Sequence, residues 1–589
     1  GTAGGTADLA GLSAFLFPMR KVYFHFCPRY NGVNRKGGSF LKISSEWISV
    51  FLFALRVAVP LLFISTAWRC FSSMRLGKRR EDPVIVLENT VTHKIIPVLY
   101  WENSLGRSWS CDIVLHDQTA SRAHAVLMRR ESGWLISDTN SKAGTFVNGR
   151  KVKDKTPVLP GDVISMGATS LRLKRTADVK GMKPSKPRWR HAAAPSRLLA
   201  SATLLQALLC AQVCLAGSKP DPEPLIPFGL LLAMEWILYG YSIHLLGHVS
   251  FELETLAFLL TGVGVMLLCG TNRKAAYTQL AAVAAGIIVF RFLIWFMGDL
   301  DRVMRWRVAI GALAILLFAV NLAFAHTRNG SKNWIYVGPV SIQPSEFIKI
   351  AFVLVGASTL DRLQTYKNLT GFIAFSAVCM GALFLMKDFG TACIFFATFL
   401  IIAFMRSGSL RTILLACAVA VFGAFFILKF KPYVAERFTS WGHVWEHVND
   451  SGGYQQVRVL SYAASGGLFG VGLGKGCLKK VFAATSDLVF GMLCEELGLL
   501  LAVAAVIVIA ALALYARSLA TRSRSTLYSI SACAAGGLLL FQACLNIFGA
   551  TDVLPMTGVT LPFISLGGSS MVSVWGMLAF IKASDERTY

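Results

Sequence analysis

The chain has 589 residues, of which 54% are hydrophobic and only 15% charged, and its mean hydropathy is +0.56. Soluble globular chains carry about 25% charged residues, so an ordinary soluble enzyme is excluded. Lys+Arg 58 against Asp+Glu 32 gives a net charge of +26. Those basic residues fall in short segments between apolar runs, as in a polytopic membrane protein, which sets nucleic acid aside as a partner.

Residues 1–46 show no pattern and stay unassigned. The run 47–68, WISVFLFALRVAVPLLFISTAW, is long enough to span despite Arg56 and Pro60. Arg69, Arg75, Lys78, Arg79 and Arg80 follow it and would stay cytoplasmic. A signal peptide is the competing reading, but no convincing cleavage site is present; a membrane anchor is expected.

Residues 83–175 differ in kind. Short β-rich runs (PVIVLEN, KIIPVLYW, DIVL, AHAVLMRR, GWLISD, GTFVN) alternate with Gly, Asn, Asp and Ser turn signals, which predicts an all-β sandwich. A basic, Pro-containing linker, 176–196, leads into the membrane portion.

Beyond it, apolar runs predict about twelve spans, near 197–216, 225–247, 251–270, 276–298, 307–326, 347–360, 371–387, 390–406, 411–428, 488–515, 526–549 and 565–582. With the first starting inside, the connections Arg302–Arg307, Asp361–Lys367, Arg406–Arg411 and Arg517–Arg524 are cytoplasmic and basic, and the long connection 429–487 is extracellular. The 13 cysteines are odd in number and form no CxxC pair, so they read as packing residues rather than a metal or disulfide framework.

Four motifs of the β-rich region, Gly-Arg at 106–107, SRAH at 121–124, SKAGTFVNG at 141–149 and GDVISMG at 161–167, resemble the forkhead-associated (FHA) domain. The resemblance implies a phosphothreonine-peptide reader, with Arg107 and Ser121 on the phosphate, Arg122 assisting and Asn148 on the peptide backbone. The chemistry fits: a guanidinium offers forked, always-charged donors to a dianion and a hydroxyl adds a neutral one. His124 reads as a loop brace. Ala143 stands where the family carries Asn, which removes one peptide contact; a degenerate docking module is the alternative.

In the membrane portion, polar residues occupy positions where hydrocarbon makes them costly, a mark of function. They lie in NWIYVGPVSIQPSEFIKI (333–350), KDFGTA (387–392), three stretches between 437 and 498 (RFTSW, GGYQQVRVLSYAASGGLFGVGLG and ATSDLVFGMLCEELG) and NIFGATDVLPMTGVTLPFISLGGSS (546–570). In this order, over 251–582, they resemble the SEDS proteins, the FtsW/RodA/SpoVE family. That resemblance implies a multi-domain chain: a cytoplasmic FHA sandwich fused to a ten-span helical core, with two additional spans over 197–247. It further implies a bacterial cell-membrane peptidoglycan glycosyltransferase that polymerises lipid II at the outer face for division or cell shape. A class B penicillin-binding protein would be its partner, and a Ser/Thr kinase would supply the phosphothreonine protein.

Asp487 matches the family's essential aspartate. It could be the base that takes the acceptor hydroxyl's proton, it could hold a divalent cation (Mg or Mn) against the lipid diphosphate, or it could simply cap a helix. Glu346 and Lys349, at i,i+3, are either a structural ion pair or a group beside the diphosphate. Arg437 and Arg458 are further external cations, and Arg291 sits inside a span without an evident partner. Asp388 follows Lys387 where the family reads Pro-Asp. Glu495 and Glu496 could line the same cavity as Asp487, or be buried and paired. Other classes stay open: a lipid II flippase that forms no bond, or a non-catalytic scaffold recruited through the FHA module.

Overall fold

In a computed structural model, residues 39–585 are described except 77–84, 99, 110, 131–132, 154, 177–192, 218, 247–249, 329–330, 338–339, 360–364, 408–409, 431–440, 449–452, 521–522 and 524. Most of the expected linker therefore lies outside the described residues.

The first helix, α1, runs Ser39–Leu76, longer at both ends than the expected anchor. It is not a loose tether. Val59, Phe63, Cys70 and Met74 are buried against the rest of the bundle. Between helices in lipid there is no hydrophobic gain, so close packing and polar ties must hold them. Thr66 Oγ1 donates to Ser201 Oγ at 3.2 Å, and Ser73 Oγ to Glu252 Oε1 at 2.7 Å.

Eleven strands follow, in chain order β1 Ile85–Asn89, β2 Ile95–Val98, β3 Glu102–Gly106, β4 Ile113–Val114, β5 Ala125–Arg130, β6 Gly133–Asp138, β7 Thr145–Val147, β8 Arg150–Lys151, β9 Thr156–Val158, β10 Val163–Met166 and β11 Thr169–Arg175. They form two sheets, ordered β2-β1-β11-β10-β7-β8 and β4-β3-β5-β6-β9. Leu87, Val98, Leu105, Leu127, Ile136, Ile164 and Leu171 fill the space between them. The expected sandwich is there. Its first and last strands are antiparallel neighbours, with Ile85 opposite Arg175.

The helical bundle comprises α2 Pro195–Cys214, α3 Leu225–Gly240 (extended by a π turn, Tyr241–Leu245), α4 Glu252–Cys269, α5 Arg273–Met297, α6 Leu300–Phe324, α7 Pro344–Thr359, α8 Thr365–Leu385, α9 Phe389–Ser407, α10 Leu410–Phe430, α11 Tyr454–Gly466, α12 Val489–Glu496, α13 Leu499–Ala520, α14 Thr526–Ala550 and α15 Gly568–Ala583. Among the described residues, nine helices are long and apolar enough to cross a membrane. This is a multi-pass membrane protein. Its centre is Trp575, fully buried with Phe258, Phe290 and Phe563 edge-on to its ring.

Three spans depart from expectation. The run 488–515 is broken: Gly498, at φ +91°, separates α12 from α13. Arg302 and Arg307 belong to the first turns of α6 rather than to a connection, because Asp299 accepts from Asp301 N and Arg302 N and starts the helix early. The run 565–582 becomes helical only at Gly568. The preceding backbone is irregular yet packed inside protein, the condition under which such backbone is tolerated at membrane depth. Gln279 Nε2 donates to Ser565 O at 2.9 Å, and Gln279 Oε1 accepts from Gly567 N at 3.2 Å.

Candidate functional site

The sandwich meets the N-terminal ends of α6 and α14. At the opposite end of α14, two of its polar side chains organise the polar motifs. Gln542 and Asn546 are one turn apart, so they share a face. Asn546 Nδ2 donates to Asp487 O at 2.9 Å and to Val559 O at 2.6 Å. Gln542 Nε2 donates to Thr560 O at 3.0 Å, while its Oε1 accepts from Lys349 Nζ at 3.1 Å. Lys349 and Asp487 are thereby brought to adjacent residues of one loop.

Asp487 sits in a tight turn, its N–H donating to Ala483 O at 2.9 Å. It is not the helix cap: Leu488 occupies that position and no side chain caps α12. Two further bonds fix the turn, Leu566 N to Thr485 O at 2.9 Å and Ser565 Oγ to Ser486 O at 2.6 Å. Gly558, at φ +69°, lies directly under the carboxylate; a Cβ there would stand 3.6 Å from Asp487 Oδ2. Burial pushes the carboxyl above its ordinary range, and a hydrogen bond from Ser486 only partly offsets this. A carboxylate so placed accepts a proton more readily than an exposed one.

Lys349 is 1% exposed and pairs with Glu346 Oε2 at 2.8 Å. The pair exists, and its ammonium faces Gln542 rather than open space. Asp388 caps α9, Oδ1 accepting from Thr391 N at 3.1 Å, and its Oδ2 gathers Asn333 Nδ2 at 3.1 Å and Gln343 Nε2 at 3.2 Å. Lys387 before it takes φ 57°, a conformation that a proline, fixed near −65°, cannot adopt.

Glu495 and Glu496 are buried and hold the glycine-rich loop. Glu495 accepts from Cys477 N at 2.6 Å and Leu478 N at 2.9 Å, and Glu496 from Gly474 N at 2.8 Å. The loop comes so close that a Cβ on Gly470, at φ +76°, would lie 2.2 Å from Glu496 O. The two carboxylates are thus engaged with backbone. Arg458 lies over the Tyr454 ring at 3.6 Å, a cation–π contact. Arg437 lies outside the described residues. The partner of Arg291 is the Tyr241 ring, 5.0 Å away.

At the far end of the sandwich, Arg107 and Arg122 are exposed on two loops joined by Arg107 N to Ser121 O and Ser108 N to Arg122 O, both at 3.0 Å. Ser121 Oγ accepts from Lys142 N at 3.0 Å, which leaves its hydroxyl proton to donate. His124 is fully buried and braces the loops, Nδ1 accepting from Ser121 N at 3.0 Å and Nε2 contacting Gly144 O at 3.1 Å. The loops that carry Arg107, Ser121 and Arg122 lie side by side. Asn148 is exposed; its Nδ2 donates to Asp162 Oδ1 at 2.7 Å and its Oδ1 accepts from Val163 N at 2.9 Å.

Gln542 and Asn546 were missed from sequence, although two amides at i,i+4 in a 25-residue apolar helix were the available signal. Among the described residues, no three His, Cys, Asp or Glu side chains gather as a metal site.

Comparison with known proteins finds two families. Residues 256–588 match the FtsW/RodA/SpoVE model, described as "Cell cycle protein", and residues 103–167 match the FHA domain model. "Probable peptidoglycan glycosyltransferase FtsW" of Coxiella burnetii is 35% identical over 272 residues, 44% of this chain and 72% of that protein. "Stage V sporulation protein E" of Bacillus subtilis is 30% identical over 312 residues, 50% and 82% of the two chains. "Peptidoglycan glycosyltransferase RodA" of Mycobacterium leprae is 24% identical over 349 residues, 55% and 75%.

Proposed function

The chain belongs to the FtsW/RodA/SpoVE family and carries an FHA domain, and from that premise we propose that it is a peptidoglycan glycosyltransferase that polymerises lipid II in a bacterial cell membrane. The observation that carries the reading is Asp487: a half-buried carboxylate, free of capping duty, in a turn fixed to the same loop that Lys349 reaches through Gln542.

In this reading the Asp487 end of the bundle faces outward. The sandwich end, with its basic connections, is cytoplasmic. Asp487 accepts the proton of the acceptor sugar hydroxyl as that oxygen attacks the anomeric carbon, and the lipid diphosphate leaves. Burial raises its pKa, which makes the carboxylate a stronger base than an exposed one. Arg458 supports the departing diphosphate from α11, whose Gln456 Nε2 donates to Gly549 O at 2.8 Å and so places the helix beside this mouth; Arg437 shares that assignment.

The buried Glu346–Lys349 pair acts by position. It sets Gln542 and thereby the loop under Asp487. Asp388, Glu495 and Glu496 likewise hold backbone around the mouth. A divalent cation fits here only if Asp487 shares it with the diphosphate, the usual mode for magnesium, since no protein cage surrounds it among the described residues.

A class B penicillin-binding protein completes the proposal by cross-linking the strands. The FHA domain, through Arg107, Ser121 and Arg122, reads a phosphothreonine protein made by a Ser/Thr kinase. The test is purified protein with fluorescent lipid II and transpeptidation blocked. Glycan strands are expected from the native chain. If none form, or if Asp487→Asn makes them at the native rate, the reading is overturned.

A further inference from the structure

The sandwich is seated on the bundle through a small, specific seam. Glu102, at the start of β3, accepts from Thr526 Oγ1 at 2.5 Å with one oxygen and from Arg130 NH1 at 3.1 Å with the other. Arg130 Nε in turn faces Asp301 Oδ1 of α6 at 3.6 Å. The Arg130 and Glu102 side chains are 3% and 5% exposed. Trp101 sets its ring edge-on to Tyr528 at 6.3 Å between centroids, and Tyr528 OH donates to Met297 O at 2.5 Å. Burying Arg130 and Glu102 is costly unless their partners are in place, so removing a membrane-side partner loosens the seat.

Two regular elements, β3 and α14, start at the seam. β3 ends at Gly106, immediately before Arg107, about 15 Å away at strand rise. α14 starts at Thr526 and carries Gln542 about 24 Å along its axis, with Asn546 one turn further. One strand therefore joins the seam to the phosphate-binding loops, and one helix joins it to the two amides that hold Lys349 and Asp487.

We propose that this seam is the docking surface through which a phosphothreonine peptide bound at Arg107 and Ser121 changes the state of α14, the partner on the membrane side being the FHA domain of the same chain. The proposal rests on the phosphopeptide reading given above. Its thermodynamic content is a coupling between two sites, which must be reciprocal for binding. It requires that the seam can release as well as dock.

The test uses the full chain in nanodiscs with a fluorescent phosphothreonine peptide library as the probe. Two membrane-side substitutions, Asp301→Asn and Thr526→Val, loosen the seam without touching the sandwich. In the native chain, library peptides should change hydrogen exchange at the start of α14 and alter the rate of strand formation about fivefold or more. In the double variant both responses should vanish, and peptide affinity should shift by the coupling factor. Peptide binding that leaves α14 exchange unchanged in the native chain overturns the coupling alone. An equal response in the double variant does the same. If no library peptide binds, the phosphopeptide reading and the coupling fall together. The exchange readout does not depend on polymerisation, so a failed glycosyltransferase assignment is recognised separately.

Discussion

The two halves of this protein place their reactive groups by opposite means. In the sandwich, an apolar core sets two sheets, and the loops at one end expose Arg107 and Arg122 beside a single buried brace, His124. In the bundle, where apolar packing does not distinguish one helix face from another, the site is located by hydrogen bonds. Asn546, Gln542 and Gln279 tie irregular backbone to helices, Ser565 ties two irregular segments to each other, and Asp487 rests among them, half-buried. A surface site can lose one group and keep the rest. A stitched site transmits the loss.

The sharpest way to break this contrast is Asp487→Asn, which is expected to lower strand formation by about 10²–10⁴-fold with normal insertion. The folded-state pKa is raised, so the carboxyl contributes stability at low pH that is lost as pH rises through that pKa. At neutral pH the Asn variant should therefore melt no lower than the native chain; a lower Tm would mean that the charge is structural.

Next in size is the buried pair. Lys349→Met leaves Glu346 without its cation and should cost about 3–5 kcal/mol, seen as a fall in Tm. Glu346→Leu combined with Lys349→Met should recover most of that stability but not polymerisation. Recovery of both would reduce the pair to scaffold.

On the surface side, Arg107→Ala should weaken binding of a phosphothreonine peptide by an order of magnitude or more, from about 1.5–3 kcal/mol per charge-assisted bond, measured by calorimetry on the full chain. Membrane-domain exchange without peptide should stay unchanged. A spread of the effect into the bundle would erase the contrast.

The smallest effect concerns acid. A hydrogen bond from Thr119, with others from Thr169 and Ala168, holds Asp117 down to about 2 against an ordinary 3.8. Its contribution is complete above the ordinary value and is lost as pH falls toward 2. Hydrogen exchange at the β10–β11 turn should rise over that window, and Asp117→Asn should flatten it.

Much of this was legible. Short β-rich runs between turn signals marked the sandwich, apolar length marked the spans, and Asp487 was singled out by the family resemblance of the motif that carries it. What escaped is tertiary. The break at Gly498 depends on Glu495 and Glu496 binding a loop some twenty residues earlier, which no local period reports. The bond from Asn148 to Asp162 joins loops fourteen positions apart, which the motif alone does not report. The seam joins Glu102 to Thr526 across 424 positions, and nothing in either segment alone announces it.

Ile85 and Arg175, facing each other on adjacent strands, make the sandwich's entry and exit near neighbours, about 5 Å apart in the pairing direction. A domain hung by such a narrow neck can be added between two helices or deleted without re-threading either. The polymerising bundle and its reader are therefore separable in evolution and in engineering. A bundle with no sandwich, or with a different recognition module grafted at the same neck, would be expected to span the membrane as this one does.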